Sequence, residues 1–287
     1  MNKYFGIAGL QLSLAEGDNL EHIENEIASA CARLPWVNMI VVGELASFGP
    51  SIGRAQPLPG PAEERFRACA RRHGIWLLPG SLYERCGESI FNTAPIIDPA
   101  GTVVARCRKL FPFLPYERGV TAGGDLCVFD VPDVGRFGVS ICYDMWFPET
   151  TRSLCWLGAE VILHPTMTNT IDRDVELAIA RASAATNQCY FLDVCVAGEL
   201  GTGRSIFCGP GGEVLHQAGT GYEVVALEID LDHVHRTREA GWHRLGQPLK
   251  SFRDSTVVYP AYGAGVASSP AWAEYSPMSY PHRKRPS

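Results

Sequence analysis

The feature that most constrains the fold is a strand, a sharp bend and a helix start between Phe137 and Glu149. An apolar run containing β-branched residues ends at Ile141, Cys142 follows it, and Pro148 suits the first turn of a helix. In an α/β protein such a bend lies at the carboxyl edge of a sheet, where helix-start N–H groups favour a thiolate. Cys142 is therefore the first candidate nucleophile, although most cysteines are simply packed as small hydrophobic residues.

Strands and helices alternate through the middle of the chain. Apolar runs predict the strands, and apolar residues at helical spacing predict the helices. The predicted strands are 4–12, 37–42, 75–80, 92–98, 102–107, 126–130, 137–141, 159–163, 189–196, 205–208, 214–216 and 224–229, and the predicted helices are 20–31, 62–73, 148–157 and 172–187. Turns at 98–101 and 209–212 predict two hairpins, which an all-parallel sheet does not contain. The sequence therefore predicts an α/β fold with a mixed sheet.

The domain organisation follows from where this pattern stops. A layered α/β fold can accommodate 287 residues as one domain. Beyond Arg238 the pattern fades, and the segment from Pro248 is too polar and irregular for a core. We expect one domain over residues 1–257 and an extended C-terminal tail over 258–287, on the domain surface or on another subunit.

The charge distribution excludes two classes of partner. The net charge is −6, and no basic cluster precedes the terminal run from His282 to Arg285. Neither nucleic acid nor an anionic membrane is therefore an expected partner, and the basic end is interpreted as a solvated terminus rather than a nuclear signal. The chain has no run of about eighteen apolar residues and no signal-peptide pattern at its start, so a soluble, cytoplasmic protein that binds a small molecule is expected.

Cysteine and histidine patterns give no sign of a metal site. The ten cysteines form no C-x-x-C pair and mostly lie in apolar runs, as reduced thiols of a cytosolic protein do. His233 and His235 are close in sequence, but on a helix they point to different faces. No metal and no cofactor is predicted.

Two other reactive side chains follow predicted strands. Glu44 comes almost directly after a buried strand, and Lys109 follows the second arm of the first hairpin in a proline-stiffened loop that also carries Glu117. Such residues are common on surfaces, so each alone indicates little. An ordinary alternative for Glu117 is an ion pair with Arg118 or Arg108.

Taken together, these contexts resemble the nitrilase superfamily of carbon–nitrogen hydrolases, whose members carry a Glu-Lys-Cys triad in this chain order. The resemblance covers about residues 4–257. The segments that carry it are Val41-Val42-Gly43-Glu44, Arg108-Lys109 with Pro112, Pro115 and Glu117, Ile141-Cys142-Tyr143-Asp144 with Phe147-Pro148-Glu149, and the later segments 158–162, 181–190 and 203–212.

The resemblance implies a fold, a reaction and a role for each residue. The fold is an α-β-β-α sandwich that associates through helices into a homodimer or a larger homo-oligomer, and the reaction is hydrolysis of nonpeptide C–N bonds without metal or cofactor. Cys142 is the nucleophile and Glu44 its general base. Lys109 and the backbone N–H of Tyr143 stabilise the oxyanion, while Glu117 holds Lys109.

The substrate is less well defined. Branches that bind a substrate carboxylate often have a basic residue shortly after the cysteine, where this chain has Met145 and Trp146. An aromatic wall and a small aliphatic amide are therefore expected. Thr166 and Arg173 are further candidate substrate contacts, with Arg173 either an anion clamp or a surface residue.

Several alternatives stay open. The lysine loop is similar to that of aliphatic amidases and formamidases, but the cysteine segment looks more like the broader amidase and carbamoylase branches. An N-carbamoyl amine is the alternative substrate, and a nitrile is less favoured. An acyltransferase or an inactive binding protein are the rival classes, although an inactive protein is expected to lack one member of the triad.

Overall fold

Strands and helices alternate within residues 4–114 and 116–262, the part of the chain that the computed structural model describes. The strands are β1 (Tyr4–Gln11), β2 (Ser13–Leu14), β3 (Met39–Val42), β4 (Trp76–Leu78), β5 (Leu82–Cys86), β6 (Ser89–Ile97), β7 (Val103–Arg108), β8 (Cys127–Val131), β9 (Gly135–Val139), β10 (Val161–Thr166), β11 (Tyr190–Cys195), β12 (Ala197–Gly198), β13 (Ile206–Cys208), β14 (Val214–Gln217) and β15 (Glu223–Asp230). The helices are α1 (Leu20–Arg33), α2 (Pro61–His73), α3 (Pro148–Trp156), α4 (Arg173–Asn187), α5 (Leu231–Ala240) and α6 (Pro248–Arg253). None of these helices combines the length and the apolar character needed to cross a bilayer.

The strands form two large mixed sheets. The first has the order β15-β1-β3-β4-β6-β5, with β7 also paired to β6, and the second has the order β14-β13-β11-β10-β9-β8. In the first sheet β1 is antiparallel to β15 and parallel to β3. In the second, β10 is parallel to both β9 and β11. The predicted mixed arrangement and both predicted hairpins are confirmed.

Alternation of side chains along the strands produces the layers. Met39 and Val41 face the core between the sheets, whereas Ile40 and Val42 pack toward α1 and α2. Leu163 faces the same inner core from the second sheet, while its neighbour Ile162 packs toward α3 and α4. Because successive strand residues point to opposite faces, apolar runs of this kind suit strands covered on both sides. The result is the expected α-β-β-α sandwich.

Several elements were not predicted, including the two-residue strands β2 and β12 as well as β5 and α6. Strand β5 pairs with β6, but its polar residues Glu84 and Arg85 interrupt the apolar pattern that predicts a strand. Helix α6 lies in the segment expected to be irregular; Pro248 starts it, and Phe252 packs edge-on against Trp156 with ring centroids 5.5 Å apart.

The predicted tail and subunit contacts remain predictions. Most of the tail, residues 263–287, lies outside the described residues. The described chain ends in a short 3₁₀ turn, Pro260–Tyr262, where the Tyr262 hydroxyl donates a hydrogen bond of 2.9 Å to Glu149.

A close backbone contact fixes the segment that follows β3. Gly80 has φ +82°, and a Cβ atom there would lie 1.9 Å from the carbonyl oxygen of Gly43. A Cβ on Gly43 would lie 2.6 Å from Cγ1 of Val196. Only glycine fits both positions. The next residue, Glu44, is therefore held tightly, and its N–H donates to the carbonyl of Thr166 over 3.2 Å.

Candidate active site

Three of the predicted residues converge at one edge of the sandwich. Glu44 follows β3, Lys109 follows β7 and Cys142 comes after β9. Lys109 Nζ donates to Glu44 Oε1 over 2.8 Å, and the charges of both side chains act on the nearby Cys142 thiol. All three are buried, and all three line a cavity of about 100 Å³. The first sheet supplies the acid and the amine, and the second sheet supplies the sulfur.

Glu117 also lines this cavity, and Asn92, which does not line it, joins Glu117 to Glu44. Lys109 Nζ donates to Glu117 Oε2 over 2.6 Å, and Asn92 Nδ2 donates to both Glu44 Oε1 and Glu117 Oε1 over 2.8 Å. The alternative partner Arg108 pairs instead with Glu84, at 2.6 Å. Asn92 was not among the residues predicted from the sequence. An asparagine within a predicted strand was the available signal, since strands rarely contain this residue.

Charge compensation keeps Lys109 cationic. Burial acts to lower its pKa, but the nearby Glu44, Cys142 and Glu117 outweigh burial, so the pKa of Lys109 is raised well above its ordinary value. Burial is also the main influence on Glu44. It raises the pKa of Glu44, and Glu117 adds to this, while Lys109 opposes it. A carboxyl group with a raised pKa is a better proton acceptor than an exposed one.

The resting sulfur of Cys142 is a thiol. Burial, and next the charge of Glu44, raise its pKa well above the ordinary value, although Lys109 acts in the opposite direction. The following helix start was expected to favour a thiolate, but burial and the charge of Glu44 outweigh any such effect on the pKa of Cys142. Cys142 begins a short 3₁₀ turn, Cys142–Trp146, and has φ +47°, which is strained for a residue with a side chain. This turn exposes the thiol to the cavity.

Asp144 connects the cysteine turn to the lysine loop. Its Oδ2 accepts a hydrogen bond from the N–H of Ile141 over 3.0 Å, and its Oδ1 accepts one from the N–H of Phe111 over 2.8 Å. The side chain is fully buried, and burial raises the pKa of Asp144 to about 6. Asp144 thus fixes Cys142 and Lys109 relative to each other.

The raised pKa of Asp144 makes folding stability depend on pH. Since the pKa is higher in the folded chain than in the unfolded chain, this group contributes most below about pH 4, and the contribution is lost as the pH rises through about 6. Asp144→Asn lacks this ionisation. Urea unfolding should show the free energy of unfolding of the wild type, minus that of the variant, falling by about 2 kcal/mol between about pH 4 and 7.

A matched control for this experiment is Asp98→Asn. Asp98 Oδ1 also accepts two backbone N–H bonds, from Ala100 and Thr102, but in an exposed turn. A stability difference for Asp144→Asn that stays constant across this pH range would contradict the assignment.

Aromatic rings form one wall of the cavity. Tyr143 and Trp146 line it, as predicted, together with Phe113 and Tyr116. The ring centroids of Phe113 and Tyr143 are 4.9 Å apart, and those of Tyr143 and Trp146 are 6.1 Å apart. The cavity is also lined by Met167, Thr168, Asn169, Thr170, Asp172 and Glu176.

The two other predicted substrate contacts, Thr166 and Arg173, do not line this cavity. Arg173 is the first residue of α4 rather than a loop residue, and its buried guanidinium pairs with Asp193 and, at 3.1 Å, with Glu176. Thr166 Oγ1 donates to Asp193 Oδ1 over 2.7 Å. Buried acids hold this arginine in the protein, because a buried charge needs partners. The anion-clamp role predicted for Arg173 does not agree with this placement.

Comparison with known proteins identifies the family to which the chain is similar. The carbon–nitrogen hydrolase family matches residues 6–239. A deaminated glutathione amidase of Dictyostelium discoideum is 31% identical over 241 residues, which cover 76% of this chain and 81% of the relative. An omega-amidase of Xenopus tropicalis is 28% identical over 200 residues, with 64% and 72% covered. The Saccharomyces cerevisiae protein Nit3, of branch 10 of the nitrilase superfamily, superposes with a TM-score of 0.77 at 26% identity, covering 83% of this chain and 94% of Nit3.

Proposed function

Because this chain belongs to the carbon–nitrogen hydrolase family, we propose that it hydrolyses a small aliphatic amide to a carboxylate and ammonia. Its relatives are named amidases. The observation that carries the proposal is the meeting of three groups in one cavity: a thiol, Cys142, a carboxylate, Glu44, and an ammonium group, Lys109. This set provides a nucleophile, a base and a fixed positive charge.

The first half of the reaction forms a thioester. Cys142 Sγ attacks the amide carbonyl carbon, and Glu44 takes the thiol proton as the C–S bond forms. The negative charge that develops on the carbonyl oxygen is stabilised by Lys109 Nζ and the backbone N–H of Tyr143, on the order of 3 kcal/mol for each donor. Glu44 then gives its proton to the amide nitrogen, the C–N bond breaks, and ammonia leaves.

The second half releases the acid. Glu44 accepts a proton from a water molecule whose oxygen attacks the thioester carbon, and the C–S bond then breaks. The proton on Glu44 returns to the sulfur, which restores the Cys142 thiol. Glu117 and Asn92 hold Lys109 and Glu44 throughout, through bonds of 2.6 and 2.8 Å. No other reactant is required.

The charges on the cavity wall support an amide without a carboxylate. Among the described residues that line the cavity, the acids are Glu44, Glu117, Asp172 and Glu176, whereas Lys109 is the one basic residue. A substrate carboxylate would add a further negative charge near these acids. The aromatic wall and the small volume of the cavity also favour a short apolar acyl group.

Ammonia release from a panel of compounds tests the proposal. We expect turnover of acetamide, propionamide or butyramide, and less or none with N-carbamoyl amines and nitriles. Adding hydroxylamine to the same assays would reveal acyl transfer as a hydroxamate, and mass spectrometry would detect acylated Cys142. Absence of ammonia release and of a Cys142 adduct across the panel would favour a binding protein instead.

Trp146 is the residue on which the selectivity against acidic amides should depend. Trp146→Arg places a cation where the wild type has an indole, so kcat/KM for succinamate relative to butyramide should rise at least about tenfold. Trp36→Arg is the matched control, because Trp36 is half exposed and does not line the cavity. An unchanged ratio in Trp146→Arg would show that Trp146 does not set selectivity.

The cellular setting and assembly belong to the proposal as well. We propose a cytoplasmic homo-oligomer, as the family resemblance and the cysteine pattern indicate. All ten cysteines are free thiols, which suits a reducing compartment.

A further inference from the structure

We infer that the hydroxyl group of Thr168 faces the Cys142 sulfur as a hydrogen-bond acceptor, and that Glu176 is the positioning residue that imposes this orientation. The inference rests on the proposed role of Cys142 as nucleophile. Thr168 Oγ1 lies 3.9 Å from Cys142 Sγ and 3.1 Å from Glu176 Oε1. All three side chains are buried, and all line the cavity.

Glu176 is held by a buried ionic cluster behind the cavity wall. Its Oε2 accepts a hydrogen bond of 3.1 Å from Arg173 Nη1. Arg173 is held in turn by Asp193 and by the backbone carbonyls of Gly203 and Arg204, at 3.1 and 2.9 Å for the carbonyls. Each nitrogen of this guanidinium therefore has a partner. The cluster orients Glu176. It contains two carboxylates, of Glu176 and Asp193, and one guanidinium, so its net charge is −1 when all three groups are ionised.

The donors and acceptors on Glu176 and Thr168 determine whether Thr168 presents a hydrogen or a lone pair to the Cys142 sulfur. Burial raises the pKa of Glu176, and the charge of Arg173 acts to lower it. When Glu176 is ionised its carboxylate can only accept, so the single hydrogen of the Thr168 hydroxyl is donated to Glu176. Only lone pairs of Thr168 Oγ1 then remain for the Cys142 side. They can accept a hydrogen from a thiol, but they repel a thiolate.

This arrangement favours the resting thiol over the thiolate. Thr168 Oγ1 lies 3.9 Å from the sulfur and the charge of Glu44 also disfavours a thiolate, whereas Lys109 and the backbone of Met167 favour the charged form. A thiolate formed here is poorly stabilised on the Thr168 side, and a more basic thiolate is intrinsically the stronger nucleophile. Thr168 and Glu176 thus keep Cys142 protonated until a substrate carbonyl is in place.

Glu176→Gln changes the shape of the side chain little, but it should turn the hydroxyl hydrogen of Thr168 away from residue 176 and toward the Cys142 sulfur. The amide oxygen of the new side chain must face Arg173, so its NH₂ group faces Thr168 and donates to it. The hydroxyl hydrogen of Thr168 becomes free to donate to the sulfur and stabilise a thiolate. Glu176→Gln should therefore increase the rate of Cys142 alkylation by iodoacetamide at pH 7 about tenfold, as read from the Cys142 peptide by mass spectrometry, and shift the alkylation pH profile to lower pH.

Two variants of Thr168 show whether Glu176→Gln acts through the Thr168 hydroxyl or through the loss of a negative charge near the Cys142 sulfur. Thr168→Val has no hydroxyl at this position, so adding Glu176→Gln to it should change the rate of Cys142 alkylation by less than about threefold. In Thr168→Ser the hydroxyl is retained, so the full effect of Glu176→Gln should return. An equal effect of Glu176→Gln in the wild-type and Thr168→Val backgrounds, or no effect in the wild type, would overturn the inference.

Matched controls and an independent readout keep the result interpretable. Glu63→Gln alters another buried glutamate, which is paired with Arg106 at 2.8 Å and lies outside the cavity wall. Thr151→Val removes a buried hydroxyl that has no hydrogen-bond partner among the described residues. Neither should change Cys142 alkylation, and circular dichroism checks the fold of every variant. Alkylation needs no substrate, so a failure of the amide panel would count against the proposed function and leave this test standing.

Discussion

Cys142→Ala should lower kcat/KM for a simple amide by about 10⁵-fold or more, because removing the nucleophile of a catalytic set that acts as a unit loses nearly all of its rate enhancement. The measurement is ammonia release at saturating and at low substrate, together with mass spectrometry of the protein during turnover. The wild type should gain the mass of an acyl group on Cys142, and the variant should not.

The fold of Cys142→Ala should remain close to that of the wild type. The thiol is small, and alanine keeps a Cβ atom in the same strained turn with φ +47°. The matched control is Cys86→Ala, which removes an exposed free thiol and should leave turnover unchanged. Near-normal ammonia release by Cys142→Ala would remove the whole proposed mechanism.

Glu44→Gln should reduce kcat about 10³-fold, since an amide group cannot take the thiol proton or deliver it to the leaving ammonia. In the wild type, Oε1 of Glu44 accepts from Lys109 and Asn92, and Oε2 accepts from the N–H of Met167 at 3.0 Å. The variant can keep the first oxygen but turns an NH₂ group toward Met167. A loss of stability of about 1–3 kcal/mol is therefore expected beside the loss of rate.

The pH dependence of turnover separates the loss of the general base in Glu44→Gln from its loss of stability. Burial raises the pKa of Glu44, and the base must be ionised, so wild-type kcat/KM should fall as the pH drops through that raised pKa. The residual activity of Glu44→Gln should lack this acid limb. Glu63→Gln is again the control for loss of a buried carboxylate. If Glu44→Gln kept more than a tenth of the wild-type kcat, Glu44 would not be the base.

The sequence predicted those parts of the molecule that depend on short-range patterns. The apolar strand before Glu44, the strand before Cys142 and the helix α4 each follow from the periodicity of neighbouring residues. The order of Glu44, Lys109 and Cys142 is likewise visible along the chain, and the resemblance to a known family assigned their roles. What the structure adds is that these three side chains meet.

Glu117 was predicted as the partner of Lys109 and does bond to it. The other partners of these residues could not be predicted, because they come from distant parts of the chain. Asn92 donates to Glu44 across 48 residues, and Asp144 accepts from the N–H of Phe111 across 33. The direction of Arg173 is set by Asp193, which lies 20 residues later on another element. A local pattern shows that an arginine is present, but its surroundings decide whether it faces a ligand or a buried acid.

The two-sheet origin of the site has a consequence for how such a protein can vary. Glu44 and Lys109 come from one sheet, whereas Cys142 and Thr168 come from segments that follow strands of the other. Their mutual distances therefore depend on how the inner faces of the sheets, with residues such as Phe137 and Met39, interlock. Catalytic geometry tolerates displacements of only about 0.5 Å. Selection for turnover should therefore restrict the shapes of core side chains that never contact a substrate. Residues between the two sheets should then be replaced more slowly in evolution than the stability of the fold alone requires.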